Sequence, residues 1–460
     1  MPGTLDRPVS KCYPNSIPKP LSYESLKIVL EYLEANRRLD LARRCDSIQT
    51  ANKAAPLKIE VLAFEPMKTI INNRTYQLGV YRKFIDREHD QRYILESNES
   101  GGTPYDLDRF GFREISEDMK MTPGDVDLQF EPLPDKPTMA QSWLNIRDQN
   151  SCIERARYYN WNSRDPDQSR RIRGKYLPDT YHVKGETPPY NSYILLTMEN
   201  GDSEEKEYVE YGKTLQEASK YLNTWIFGSR PAIQVKKLEI KSAQMTIRLP
   251  PDVKIHAQII SISSHVSRTI ASFSTILADS NFFLKTIEEI YSERIKGDFA
   301  HKNVQEVGKL VVLQHDRFVC FFMDTKWNRF PPRTHFGSEE ILNGCLPFII
   351  ESWKTSKQKI GTWFSVGYSN KWMVWEAMDE LARMFKVKDK NSAFMILLDA
   401  SRGVQVWFEK VSNMEYESYG ASYILNMKVV CFFKNFDLTV LDKTRALRLR
   451  GIASPTSLER

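Results

Sequence analysis

Apolar and polar positions change period several times along the chain, and each change predicts an element. Behind Ser22, Leu26, Val29, Leu30 and Leu33 recur at i, i+3, i+4 and i+7, one face of an amphipathic helix with Ser22 as its N-cap. A second short helical pattern runs through Leu39, Leu41, Ala42, Cys45 and Ile48, and Pro56 closes it. From Leu57 the period drops to two: Leu57, Ile59 and Val61 alternate with polar neighbours, and a turn at Asn72-Asn73 returns the chain as a second strand. Residues 86–137 are rich in charge, glycine and proline and predict loop with little core.

Beyond the polar stretch that ends near Pro188-Pro189, two strands flank a turn at Asn200-Gly201-Asp202. The clearest helix follows. Thr214 and Glu217 make a capping box, Leu215, Ala218, Tyr221, Leu222, Trp225 and Ile226 form its apolar stripe, and Gly228 stops it. Short strands are predicted over 233–240, 245–249 and 253–262 and near 310 and 320. A helix should start after Ser338, with Glu339 and Glu340 in its first turn and a kink or early end at Pro347. The last stretch alternates a strand at 362–367, a helix over Trp372–Phe385, and strands at 394–399, 404–409 and 423–433.

These elements predict a mixed α/β (α+β) chain, a short N-terminal helical module followed by strand-rich and α/β layer segments. The divisions drawn are a flexible tail at 1–20, the helical module at 21–55, a strand hairpin region with loops at 56–135, a polar linker at 136–188, an α/β domain at 189–436 and a flexible tail at 437–460. Strand–turn–helix units between 190 and 435 suggest a short irregular repeat without a strict period. At 460 residues the chain is too long for one ordinary core.

Charge and cysteine usage narrow the partners. Sixty-five Lys and Arg against 59 Asp and Glu leave +6, far from the concentrated charge of a dedicated nucleic-acid binder. Two basic clusters stand out, Arg170, Arg171, Arg173 and Lys175, and Arg445, Arg448 and Arg450. They read as a nuclear-import signal, a phosphate-binding patch or, more simply, solvated loops, since no aromatic residues interleave them. No specific nucleic-acid partner is expected. The six cysteines, at 12, 45, 152, 320, 345 and 431, form no CxxC pair and read as reduced thiols. No apolar run approaches the ~20 residues that span a bilayer, and the N-terminus lacks a secretory apolar core. The expected place is the cytoplasm or the nucleus, away from membranes.

The search for chemistry finds little. There is no GxxxxGK[ST] loop, no GxGxxG opening a helix and no GxSxG elbow. The seven histidines, at 89, 182, 256, 265, 301, 315 and 335, never pair at i, i+2 or i, i+4, and His256 sits in an alternating strand as a structural residue. The expectation is a protein that is not an enzyme, with no catalytic residue, no cofactor and no metal, acting by binding another protein.

Residues 21–48 then carry a recognisable order: Leu21, Glu24, Val29-Leu30, Leu33, Leu39, Leu41, Cys45 and Ile48. This order resembles an F-box, the short helical module that docks a substrate receptor onto a Skp-family adaptor. Ser22 stands where that motif usually has proline, and Ile48 where it usually has tryptophan. The stretches PLSYESLKIVLEYLEANRRLDLARRC, IINNRTYQLGVYRKF, TPGDVDL, PPYNSYILLTM and KIGTWFSVGY are similar in order and spacing to the nematode F-box C family. That family joins a divergent F-box to an F-box-associated domain of unknown function. The resemblance implies a substrate receptor of a Skp–cullin–F-box ubiquitin ligase. Leu21, Glu24, Leu26, Val29, Leu30, Leu33, Leu39, Leu41, Cys45 and Ile48 would bind the adaptor, and the C-terminal domain would hold an unidentified target protein. Two other readings stay open: an adaptor-independent protein-interaction module of a lineage-expanded family, and a weak nucleic-acid binder. Physically, a module of ~30 residues cannot stand alone, so its apolar faces must cover either its own strand domain or another protein.

Overall fold

In the computed structural model the described residues are 21–85, 92–114, 121–129, 181–278 (without 183, 202, 232, 243–244 and 264–265), 285–289, 302–313, 330–338, 344–387, 392–411 and 420–432. Both tails, most of the polar linker, both basic clusters, the strand near 320 and the boundary drawn at 135 lie outside them.

The N-terminal pattern resolves into helices α1 (Tyr23–Tyr32) and α2 (Ala35–Arg44), a 3-10 turn over Asp46–Ile48, and α3 (Gln49–Ala54). The Ser22 hydroxyl caps α1 by accepting the Ser25 N–H at 3.2 Å. Strands β1 (Leu57–Glu65), β2 (Lys68–Ile71) and β3 (Arg74–Phe84) follow. The β2–β3 reversal passes through Asn72 at φ 54°, a left-handed conformation that asparagine tolerates. The Asn72 side-chain oxygen also accepts the N–H groups of Glu60 and Val61, at 2.9 and 3.2 Å.

The stretch from 86 to 137 departs from the expected coreless loop. It contains α4 (Arg92–Glu99) and β4 (Val126–Asp127), and Ile94, Leu107, Val126 and Leu128 are buried. Isolated apolar residues among charges give no periodic signal. Distant chain covers them: β4 pairs with a strand near 246.

Next come the hairpin β5 (Tyr190–Asn200) and β6 (Ser203–Glu210), then α5 (Leu215–Phe227), whose capping box between Thr214 and Glu217 is formed. The remaining elements are β7 (Ile233–Ile240), β8 (Thr246–Ile247), β9 (Ile255–Ile262), α6 (Val266–Phe273), β10 (Thr286–Glu289), α7 (Lys302–Gln305), β11 (Lys309–Val312) and β12 (Arg333–Phe336). Then follow α8 (Leu346–Thr355), β13 (Trp363–Tyr368), α9 (Lys371–Met384), β14 (Ala393–Leu397), β15 (Arg402–Lys410) and β16 (Tyr423–Cys431). The helix start expected after Ser338, at Glu339 and Glu340, lies outside the described residues, and the kink or early end expected at Pro347 is not seen in α8. Pro347 stands in the first turn of α8, where a missing N–H costs nothing.

Among the described residues one sheet of 14 strands organises the chain, in the order β14-β15-β16-β13-β12-β11-β10-β9-β7-β1-β2-β3-β5-β6. Its centre, β1-β7-β9-β10-β11-β12-β13, is parallel and laid down in chain order. The pairs Ile233–Ile255, Ile259–Thr286, Thr286–Lys309, Leu310–Thr334 and Arg333–Trp363 advance the chain by 22, 27, 23, 24 and 30 residues. Each unit stacks on its predecessor, as in a solenoid, but the uneven steps explain why no strict period is visible in the sequence. Antiparallel flanks complete the sheet on both sides. Because β1 lies beside β7, the hairpin region and the α/β domain drawn separately from the sequence share this sheet. The fold is mixed α+β; among the described residues the main apolar cluster runs from Ala35 to Val429, and a smaller one gathers Leu78, Val80, Leu107, Ile194 and Leu215.

Candidate functional site

The N-terminal helices have two faces. Inward, α2 turns Ala35, Asn36, Arg38, Leu39 and Ala42 to the protein, and α1 contributes Leu30. Asn36 donates its amide to the Ile71 carbonyl at 2.8 Å, and Arg43 spans Glu205 and Glu207 on β6 at 2.6 and 2.7 Å. The buried Arg38 side chain is the hub. It donates to the Asn52 side-chain oxygen at 2.5 Å, to the carbonyls of Pro56 at 2.6 Å, Ala55 at 2.7 Å and Leu30 at 3.4 Å, and to the Asn52 carbonyl. Arg230, just past α5, donates to the carbonyls of Ile226 and Asn52, both at 2.7 Å. Two cations thus satisfy carbonyls at the C-terminal ends of α1, α3 and α5, where the helix dipoles are negative. Burial lowers the pKa of Arg38 to about 10. Burial, with the nearby Arg38 charge, lowers that of Arg230 to about 9.

Outward, the same helices leave Leu21, Tyr23, Ile28, Val29, Tyr32 and Leu41 exposed, Tyr32 by 83% and Leu21 by 59%. Six large apolar side chains on one small module thus stand in solvent. Of the ten residues singled out by sequence, Leu21, Glu24, Val29, Leu41 and Cys45 are exposed, and Leu26, Leu33 and Ile48 are half-buried. Leu30 and Leu39 are 1% exposed and hold the module to its own chain, so they offer no contact to a partner. Sequence reasoning passed over Tyr23, Ile28 and Tyr32. Ile28 and Tyr32 lie four residues apart and form a second apolar stripe on α1, a helix apolar nearly all round.

A second polar feature crosses the sheet. Pairing sets Glu239, Ser261, Glu288, Val311, His335, Ser365 and Asn426 in one row. Lys237 joins Glu239 at 3.0 Å to Glu288 at 2.9 Å, and Lys241 reaches Glu65 at 3.2 Å. Further along, the His335 Nδ1 lies 2.9 Å from the Ser365 hydroxyl, and Asn426 accepts from the Trp363 indole at 3.0 Å and donates to Glu409 at 3.1 Å. Burial, then the Lys309 charge, pushes His335 down to about 3, so the imidazole is neutral near pH 7. A neutral histidine beside a serine has the makings of a base and nucleophile. Both side chains are buried, however, His335 fully and Ser365 at 7% exposure. The row forms a polar seam, hydrogen-bonded at His335–Ser365 and at Asn426. Among the described residues no group of three His, Cys, Asp or Glu side chains could hold a metal ion.

Residues 214–370 match a domain of unknown function, DUF3557. The DUF3557 stretch runs from the N-cap of α5 to the N-cap of α9 and contains β7 to β13 and Arg230. It does not include residues 21–48. No curated protein and no solved structure matches the chain. Among the described residues no helix is long and apolar enough to cross a membrane.

Proposed function

We propose that this chain is a non-enzymatic protein-binding protein, the substrate receptor of a Skp–cullin–F-box ubiquitin ligase. The observation that supports the reading is the division of labour within the N-terminal module. Leu39, Asn36 and Arg43 fix it to the sheet, while Leu21, Val29 and Leu41 of the F-box-like order, with Tyr32, are exposed. Such a module presents an apolar face in one fixed pose, which suits an adaptor that must be held at a set angle to a target. The Skp-family adaptor would cover this face, and the DUF3557 stretch with its flanking strands would hold the target. The protein supplies position, and other subunits supply the transfer chemistry.

The test is co-purification of the full chain with a Skp-family adaptor, wild type against a Val29→Glu, Tyr32→Glu double variant. Capture by the wild type and loss of at least tenfold affinity in the variant, with unchanged melting, is the expected result. Absence of capture by the wild type overturns the adaptor reading. The same face would then serve an adaptor-independent interaction, a reading that the departures at Ser22 and Ile48 favour.

A further inference from the structure

Among the described residues the sheet ends on two strands of opposite chemistry. At one end β6 carries Glu204, Glu205, Lys206, Glu207 and Glu210, the kind of charge that keeps an edge strand from pairing. At the other end β14 reads Ala393, Phe394, Met395, Ile396 and Leu397, with no charge and no proline. The Leu398 N–H donates to the Arg402 carbonyl at 3.0 Å, and bonding alternates along an antiparallel ladder. The backbone groups of Ile396 and Phe394 therefore face β15, and those of Ala393, Met395 and Leu397 face outward. Phe394 and Ile396 are buried, whereas Ala393 and Met395 are half-buried and Leu397 is 56% exposed.

We propose that β14 pairs with β14 of a second copy of this chain, antiparallel about a two-fold axis through Met395. This register sets Ala393 opposite the partner's Leu397, Phe394 opposite the partner's Ile396, and Met395 opposite itself. The smallest outward side chain meets the most exposed one, and no charge opposes another. An edge whose own reversed sequence complements it is suited to an isologous pair. The contact is small, below the roughly 1,200 Å² of stable complexes, so the dimer is a weak one with a dissociation constant on the order of 10 µM. It lies at the opposite end of the sheet order from β6, to which Arg43 ties the N-terminal module, and it stands independently of the adaptor reading.

Sedimentation equilibrium of the full chain, from about 1 to about 200 µM, should show a reversible monomer–dimer equilibrium. Leu397→Lys changes an exposed side chain, so melting should be unaltered while dimerisation weakens by at least tenfold. Cysteine substitution reports the register. A two-fold axis through Met395 sets its two copies about 5.5 Å apart, within disulfide reach, so Met395→Cys should give a covalent dimer on mild oxidation. Two copies of residue 393 lie roughly 13 Å apart in this register, so Ala393→Cys should not cross-link. The six native cysteines are common to both variants. A wild type that stays monomeric throughout, a Leu397→Lys variant that dimerises like the wild type, or equal cross-linking at 393 and 395 each overturns the proposal.

Discussion

Arg38 and Arg230 donate to the same carbonyl oxygen, that of Asn52, one from the N-terminal module and the other from the DUF3557 stretch. Like charges share an acceptor because each also caps a helix end of its own. Arg38 serves Leu30 on α1, and Arg230 serves Ile226 on α5. The module is thereby fastened to the matched stretch by the buried Arg230–Asn52 bond, and Leu39 joins the main apolar cluster with it.

Arg38→Met should cost about 2–4 kcal/mol, because it leaves several buried carbonyls without a donor. Arg230→Met should cost less, since fewer carbonyls depend on it. The double variant should lose about 1 kcal/mol more than the sum, because each single variant relieves the repulsion and leaves the Asn52 oxygen one donor. Urea unfolding of the four proteins measures this, and simple additivity would show that the two guanidinium groups act independently.

Neighbouring residues on α1 should behave in opposite ways. Leu30→Ala empties a buried position and should destabilise the whole chain by about 2–5 kcal/mol. Tyr32→Ala removes a side chain that stands in solvent and should change stability by no more than about 0.5 kcal/mol. Under the adaptor reading Tyr32→Ala instead weakens adaptor capture. Thermal melts and capture run side by side separate the two roles, and a large loss of stability at Tyr32 would mean that this face is ordinary core.

The contrast between Leu30 and Val29 also shows what the sequence could and could not tell. Helical spacing placed Leu26, Val29, Leu30 and Leu33 together, and α1 forms there. Which of them face inward depends on where α2 and the sheet lie, and that is a long-range fact. Local signals did well where local physics decides, at the Ser22 cap, the Asn72 and Gly201 turns and the Thr214 box. They failed where partners come from afar. Strand β10, only four residues long, carries Glu288 into the sheet interior, and nothing in its period marks it as central. His335 drew no role from its sequence neighbours, because its partner Ser365 arrives on the next parallel strand 30 residues later.

The cap of α5 offers a local test. Thr214→Ala removes the side-chain acceptor of the Glu217 N–H, at 3.1 Å, and leaves the Glu217 carboxylate on the Thr214 N–H, at 2.9 Å. Half of the box survives, so the expected cost is about 1 kcal/mol. Adding Glu217→Ala should take most of what remains. A cost near zero for both changes together, read from denaturant midpoints, would show that packing of Leu215, Ile226 and Phe227 alone fixes this helix.

His335 gives the stability of the protein a pH dependence of known sign. In the folded chain burial pushes its pKa down to about 3, against 6.5 for the free side chain. Between those values the unfolded chain binds a proton that the folded chain does not, so acidification favours unfolding. The contribution is fully present above about pH 6.5 and is lost as pH falls, by about 1.4 kcal/mol per unit, until about pH 3. Carboxylates add their own terms below about pH 5, so the informative window is pH 6.5 to 5. His335→Gln keeps a group able to bond the Ser365 hydroxyl and removes the titration. Its unfolding free energy should fall less steeply across that window than the wild type's, by close to one proton. Parallel slopes for the two proteins would mean that His335 is protonated as readily in the fold as outside it, and that the seam across the sheet opens to water.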